Sequence, residues 1–422
     1  MKLFVQNTLS RNKDVFEPRS GGAEVKLFTC GPSVYNLPHI GNYRTYLYED
    51  VLERTLDALG YDVRRVLNFT DVEDKAVAEA RKRGLTDLTE LTRPNEEQFF
   101  KDAESLRILI PEEIPRSSES VGQAVHLIRV LLEKGHAYWH HGNVFFDPLT
   151  CTDFGRLYGL DMSHWPKKKI RFHKDTYPGQ RWNLGDFILW HGGEKDDPFV
   201  WETEIGSGRP AWNIQDPSMI SQTLGFELDL CCGGVDNLYR HHDYNMAIME
   251  SVSGSTLAPF WLHGEHLLVD GVKMSKSKGN IVYPENLYSK GWSSDFLRFF
   301  LLSAHYRSTL NLSSSSIDAA WSMFSRLRSL VDAFRNRPGR LEHIDSSEIS
   351  TWAQNLLHGA FVHLGDDLDV VSAVTFVIKS LEHALAMMQD GQLSQEDQDS
   401  MFSSLVMLDH VLGFAFPKEI ES

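Results

Sequence analysis

Two short segments hold residue types suited to a nucleoside triphosphate. His39-Ile40-Gly41-Asn42 sets an imidazole, a glycine and an amide within one turn. Lys273-Met274-Ser275-Lys276-Ser277-Lys278-Gly279-Asn280 alternates three lysines with small residues and ends in Gly-Asn. A histidine at a helix start can donate to a phosphate oxygen, and the helix dipole with its first N–H groups favours an anion there. Gly41 lets the backbone approach a ligand without a Cβ. Lys273 and Lys276, on a loop able to close, would stabilise charge gathering on a departing pyrophosphate, with Met274 and Ser275 beside them at the nucleotide. Gly233-Gly234-Val235-Asp236 is a third piece: the glycines admit a nucleoside and Asp236 bonds ribose hydroxyls. Each piece has a plainer reading as a helix cap, a solvated turn or an ordinary glycine turn. The four residues at 39–42 alone favour the plainer one, whereas the full 273–280 stretch is more specific than a basic run.

Regular elements must position these residues. The apolar run Val25–Thr29 enters the loop Cys30-Gly31-Pro32. Helical spacing follows over Tyr43–Leu59, Gly60 stops it, and Val63–Phe69 reads as a second strand. This β-loop-α-β unit predicts a parallel sheet. Asp74–Arg83 and Asn95–Leu109 read as helices, and Leu224–Leu230 and Phe260–Leu268 as sheet. Between Gly142 and Trp201 the texture shifts to Gly, Pro, Trp and short apolar runs such as Val144-Phe145-Phe146, which predicts an insertion of short strands. Its basic run Lys167-Lys168-Lys169 with Arg171 reads as a solvated surface. From Ser294 onward the pattern is helical, over Asp295–Ala304, Ser316–Phe334, Glu348–Leu364, Val371–Met388 and Ser394–Phe416. The pattern predicts an α/β chain: a parallel-sheet unit, an insertion of short strands and an all-α helix bundle at the end.

The bulk numbers set limits. A chain of 422 residues with 42% hydrophobic and 24% charged residues is an ordinary globular sequence of several domains. A net charge of −16 argues against a generally basic surface, although a local basic stripe still permits nucleic acid. No apolar run reads as a bilayer span, so no membrane partner is expected. Four cysteines, Cys30, Cys151, Cys231 and Cys232, in a chain this long predict a cytoplasmic protein.

The ordered set Cys30-Gly31-Pro32-Ser33-Val34-Tyr35, His39–Asn42, Asn68-Phe69-Thr70-Asp71-Val72-Glu73-Asp74-Lys75, Gly208-Arg209-Pro210-Ala211-Trp212, Gly233–Asp236, His241-His242 and Lys273–Asn280 resembles the cysteinyl-tRNA synthetase family, a class I aminoacyl-tRNA synthetase family. Leu310–Ser313 and Asp366–Asp369 resemble that family's helical domain. The resemblance implies a Rossmann-type parallel-sheet catalytic domain in two parts (1–118 and 208–260), a connective insertion (119–207), a segment bearing the lysine loop (261–315) and an all-α bundle (316–422). It also implies an AMP-forming ligase that uses ATP and Mg²⁺. An amino acid carboxylate attacks the α-phosphate, and an acceptor then takes the acyl group. It places His39, Asn42, Lys273 and Lys276 in catalysis, and Gly41, Gly233, Gly234, Asp236, Met274 and Ser275 at ATP. It places Cys30, Gly31, Tyr35, Thr70, Trp212, Asp216, Cys231 and His241 around the amino acid.

The sequence departs from that family in two respects. The family holds zinc with two Cys, a His and a Glu; carried over, these positions are Cys30, Asp216, His241 and Asn245. Asn is a weak zinc ligand and Asp replaces a soft thiolate with a hard carboxylate. No tightly bound zinc is therefore expected. A rebuilt site using Cys231, Cys232 or Asp243 ranks below an absent one. Asp216 is expected instead to put negative charge in the pocket, which favours an acid other than cysteine, with a polar or cationic side chain. The small domain that normally follows the family's bundle is also not expected, the sequence running to Ser422. A truncated relative in the mycothiol pathway acylates an amino sugar without tRNA. Three functions follow: a ligase acting on a small-molecule amine, a minimal tRNA-charging enzyme, and an inactive paralogue with a binding or regulatory role. The lysine loop and the 39–42 tetrapeptide disfavour the third.

Overall fold

A computed structural model describes residues 1–162, 185–335 and 350–417; the basic run at 167–171 lies outside them. The chain begins with a hairpin, β1 (Phe4–Gln6) on β2 (Lys13–Val15). Next come β3 (Glu24–Thr29), α1 (Ile40–Ala58), β4 (Asp62–Leu67), α2 (Asp74–Arg83), α3 (Thr89–Ser105) and α4 (Val121–Glu133). The insertion contributes β5 (Ala137–His140), β6 (Asn143–Phe146), β7 (Phe187–Gly192), β8 (Trp201–Thr203) and β9 (Gly206–Pro210), an antiparallel sheet ordered β5-β6-β7-β9-β8. The chain continues through α5 (Trp212–Thr223), β10 (Leu230–Gly234), the single turn α6 (Val235–Asn237), α7 (Asp243–Ser253) and β11 (Phe260–Gly264). β12 (Leu267–Val269), β13 (Val272–Lys273), α8 (Pro284–Tyr288), α9 (Ser294–Leu302) and β14 (Leu310–Leu312) precede the helices α10 (Ser314–Arg335), α11 (Thr351–Leu364), α12 (Val370–Gln389) and α13 (Gln395–Leu412).

The site rests on the parallel sheet β11-β10-β3-β4. Its strands are apolar because both faces are covered: Leu27, Val66, Leu230, Cys231 and Leu262 are all buried. From β3 the chain crosses through α1 to β4, while β10 lies on the other side of β3. The carboxyl ends of β3 and β10 therefore lead away in opposite directions and open a crevice between them, the usual ligand position in such sheets. Arg298 of α9 and Asp50 of α1 form a fully buried ion pair at 2.6 Å, which fastens the crossover helix to the helical half of the molecule.

The α/β sheet, the inserted strands and the helical tail follow the sequence pattern, but several local expectations differ. The stretch 224–230 is not a strand. Leu224 caps α5, Gly225 turns at φ 86°, and pairing begins only at Leu230. Phe260–Leu268 divides into β11 and β12 at Glu265-His266, whose carbonyls both accept from Arg44. α3 starts at Thr89 and passes through Pro94, because buried Leu91 and Thr92 hold its first turn against the core. α12 is, contrary to the sequence reading, long and apolar enough to cross a bilayer. In the bundle it buries Ala373, Val374, Val377, Leu381 and Ala384 against its neighbours.

Candidate active site

A cleft of about 440 Å³ opens at the carboxyl ends of β3 and β10. One wall is the start of α1. The His39 ring folds back so that Nδ1 accepts the N–H groups of Gly41 (3.1 Å) and Asn42 (3.3 Å), and Asn42 Oδ1 accepts the His39 N–H (3.0 Å). This is a reciprocal capping box. The Ile40 N–H is also taken, by the Val282 carbonyl at 3.0 Å. The first N–H groups of α1 are thus not free for an anion, which corrects the sequence expectation for them. The cap has a second consequence. A ring accepting at Nδ1 carries its neutral-form proton on Nε2, so His39 can donate from that atom. Burial lowers the His39 pKa, which keeps the ring neutral. The helix dipole and one imidazole N–H remain on this wall as features suited to an anion.

The opposite wall is the lysine loop. Met274 is buried and packs over Gly41, where an added Cβ would meet Met274 Cε at 2.8 Å. Lys273 Nζ lies 2.6 Å from Asp236 Oδ1 and 3.3 Å from His266 Nε2. Ser275 lines the cleft with them. Lys276 belongs to a 3-10 turn, Lys276–Lys278, one step further along. Gly234 and Asp236 line the cleft; Gly233 does not, and is held by the Tyr48 hydroxyl, which donates to its carbonyl (2.7 Å) and accepts its N–H (3.0 Å).

Cys30, Gly31, Tyr35, Thr70, Trp212 and His241 also line the cleft. Gly31 tolerates no side chain, since a Cβ would lie 1.8 Å from the Asn68 carbonyl oxygen. The motif around Trp212 is explained locally. A Cβ on Gly208 would strike Trp190, and Arg209 is ion-paired to Asp74 of α2. Trp212 and Asp216 stand one turn apart on α5, and His241 meets both: its ring stacks on the indole at 4.2 Å and its Nε2 lies 2.7 Å from Asp216 Oδ2. His241 is turned inward by Arg240, whose backbone at φ 75°, ψ −64° breaks the helix before α7.

Asp216 is fully buried and does not line the cleft. Its Oδ1 accepts from Asn68 Nδ2 (2.9 Å). Its Oδ2 receives His241 Nε2, Asn245 Nδ2 (3.4 Å) and the Cys30 thiol (3.6 Å). Burial, then Asp216 and Glu49, hold the Cys30 thiol well above its ordinary pKa. Cys231 and Cys232 lie in β10 within the hydrophobic core, not in the cleft. Asp243 is occupied elsewhere, accepting the N–H groups of Leu157 (3.1 Å) and Tyr158 (3.2 Å).

A closed zinc site needs four donors around one point. Among the described residues, Cys30, His241 and His242 each bring a donor atom within 4.8 Å of the others, and Asp216 Oδ2 lies 2.7 Å from His241 Nε2 and 3.6 Å from Cys30 Sγ. The Asp216 oxygens already hold four hydrogen-bond donors, and Asn245 turns its NH₂ to Asp216. His242 Nδ1 is engaged by His263 Nε2 at 2.8 Å, while its Nε2 is buried without a hydrogen-bond partner among the described residues. These residues do not fit the family's four-ligand zinc arrangement.

Sequence reasoning missed the residues that hold this geometry. Asn68 joins the Gly31 N–H (2.9 Å) to Asp216. Arg44 grips the carbonyls of Glu265, His266, His305 and Ser308. His266 shares Asp236 with Lys273. Asn68 was visible as part of a motif; the roles of Arg44 and His266 depend on partners distant in sequence and left no local signal.

The family model for the catalytic domain of class I (C) tRNA synthetases matches residues 16–322. The cysteine–tRNA ligase of Chlamydia muridarum is 36% identical, the match covering 98% of this chain and 88% of that protein. The cysteine–tRNA ligase of Protochlamydia amoebophila is 32% identical, covering 100% of this chain and 87% of that one. Among solved structures, Mycobacterium tuberculosis methionyl-tRNA synthetase in complex with methionyl-adenylate superposes with a TM-score of 0.62 at 17% identity, covering 93% of this chain and 90% of that one. That likeness speaks to the fold.

Proposed function

We propose, for a chain that belongs to the class I cysteinyl-tRNA synthetase family, that this cleft joins an amino acid to ATP and passes the aminoacyl group to the 3′ end of a tRNA. The chain is an ATP-dependent ligase of that class. One observation carries the assignment of the cleft: its lining holds two groups, Lys273 against Asp236 with His39, and His241 against Cys30 and Trp212. The first group suits a nucleotide and the second a small acid.

ATP enters as its Mg²⁺ complex. Its ribose hydroxyls take Asp236, which frees Lys273 for the phosphates. A carboxylate oxygen of the amino acid attacks the α-phosphorus, the bond to the bridging oxygen breaks, and pyrophosphate leaves with the electron pair. His39 Nε2–H and Lys273 meet the charge that develops on the phosphates, with Asn42 holding the His39 backbone. Met274 over Gly41 sets how closely the two walls approach. A tRNA acceptor is supported by relatives named cysteine–tRNA ligase that match 98–100% of this chain. The small-molecule amine has no comparable support.

The test is ATP–pyrophosphate exchange without RNA, followed by acylation of total tRNA. Exchange with at least one amino acid and label on tRNA are expected. No exchange with any standard amino acid overturns the adenylation reading. Robust exchange with no tRNA charged selects the amine acceptor.

A further inference from the structure

We propose that the pocket selects its amino acid without a metal ion, and that the acid it activates carries a small neutral side chain with one hydrogen-bond donor, such as a hydroxyl or a thiol. The proposal rests on the adenylation reading and concerns the part of the same cleft around Cys30, Trp212 and His241. Its starting point is the mismatch between the donor set and a four-ligand zinc site. Where a metal would gather its ligands, Asp216 gathers Asn68, His241, Asn245 and Cys30 as hydrogen-bond donors. A carboxylate with four donors and no solvent exposure is a satisfied structural hub. A substrate cation reaching it would have to pass Cys30 and His241 and break bonds already made. The geometry therefore turns the sequence expectation around: Asp216 orients the pocket wall and does not pair with the substrate.

Cys30 and His241 line that part of the cleft together with Tyr35, Thr70 and Trp212. Since His241 gives its Nε2–H to Asp216, Nδ1 is left as a bare acceptor, and this atom is buried without a hydrogen-bond partner among the described residues. An unpaired buried acceptor is costly and is relieved by a ligand donor. The Trp212 indole stacked on the same ring limits the space to a small group. Recognition by size and one neutral hydrogen bond does not separate a hydroxyl from a thiol by more than about 200-fold, the range of discriminations that rest on one small group.

The experiment uses the purified full chain from zinc-supplemented growth. Metal content is measured by mass spectrometry, and ATP–pyrophosphate exchange is run with cysteine, serine, alanine and 2,3-diaminopropionate, each with and without a chelator. The expected result is less than about 0.1 zinc per chain, chelator-insensitive exchange, serine within about 200-fold of cysteine in kcat/KM, and alanine and the diamine below both. The double variant Asp216→Cys/Asn245→Glu, which supplies a Cys₂-His-Glu donor set, is expected to gain zinc and to widen the cysteine-to-serine ratio. Zinc near one per chain in the unsubstituted protein, with exchange abolished by the chelator, overturns the proposal and leaves adenylation standing. So does preference for the diamine, or a cysteine-to-serine ratio well beyond 200-fold. Absence of exchange with every acid sinks the adenylation reading instead, and the zinc content then still decides the metal.

Discussion

His39 Nδ1 accepts the backbone N–H of Asn42 at 3.3 Å, while Asn42 Oδ1 accepts the backbone N–H of His39 at 3.0 Å. The same ring thus closes the end of α1 and, by fixing its tautomer, presents Nε2–H as a donor. The two duties separate by substitution. Asparagine is a good N-cap, so His39→Asn retains the cap and loses the donor; His39→Ala loses both. Exchange activity is expected to fall about 10²- to 10³-fold in both variants. Only the alanine variant should also lose about 0.5–2 kcal/mol of stability. Equal denaturation midpoints for the two would show that the cap contributes nothing.

Lys273 and Asp236 are each about half exposed, at 52% and 50%. Their pair is worth at most about 1 kcal/mol, so ATP can break it readily. Lys273→Ala is expected to lower kcat for exchange about 10²- to 10³-fold with the thermal midpoint nearly unchanged. Asp236→Asn should act mainly on KM for ATP, raising it about tenfold, the effect of one weakened charged hydrogen bond. Steady-state kinetics with varied ATP separate the two, and a pure KM effect at Lys273 would contradict the assignment.

Gly31 and Gly41 should respond differently to a methyl group. At Gly31 the Cβ meets a backbone oxygen at 1.8 Å, which cannot move without displacing the Asn68 strand end. Gly31→Ala is expected to abolish exchange and to lower solubility. At Gly41 the obstacle is the flexible tip of Met274 at 2.8 Å, together with the His39 ring at 3.0 Å. Gly41→Ala should fold normally, with a lowered kcat because the lysine loop is pushed outward. Equal damage from both in a folding assay would contradict this contrast.

Removing Asp50 is expected to cost about 3–5 kcal/mol, since it leaves the buried Arg298 without its carboxylate; removing Arg298 should cost less, because Asp50 keeps Arg54 at 2.9 Å and the Leu109 N–H at 2.7 Å. The side chains of Asp50 and Arg298 are at most 1% exposed. Chemical denaturation of Arg298→Met and Asp50→Ala tests this. A loss below about 1 kcal/mol for Asp50→Ala would mean that water reaches the pair.

Two buried groups give opposite pH responses. Burial holds His263 down to about 3, against about 6.5 for an unperturbed imidazole. Between those values the unfolded chain binds the extra proton. The His263 contribution is therefore complete above about pH 6.5 and is lost as pH falls, by at most about 1.4 kcal/mol per pH unit. Burial pushes Glu73 up to about 7 from 4.5. Here the folded chain keeps the proton, so the contribution is complete below pH 4.5 and is lost as pH rises towards 7. Denaturation midpoints from pH 4 to 8 should show a flatter acid limb for His263→Asn. Glu73→Gln should remove the decline towards neutral pH.

The sequence by itself determined the reaction class and the order of the fold. Apolar runs broken at Cys30 and Gly233, a helix beginning after His39, and lysines at small intervals from 273 are local patterns, and local periodicity survives translation into structure. The resemblance those motifs carry extended this to the family, and the comparisons agree. Tertiary structure alone decided what the individual side chains do. His39 is legible as a candidate phosphate-binding residue, but its inward turn onto two N–H groups is not. Asp216 is legible as a changed ligand, yet only the fold shows it buried behind the cleft with its oxygens occupied. Its partners Cys30 and Asn68 lie 186 and 148 residues away in sequence. Asp243 and Cys231 are chemically plausible replacements at nearby positions, and the fold directs one to the Leu157 turn and the other into the core. Hydrogen bonds are satisfied by whichever groups meet in space, and for residues this far apart that is set by how the sheet, α5 and the turn at Arg240 pack together.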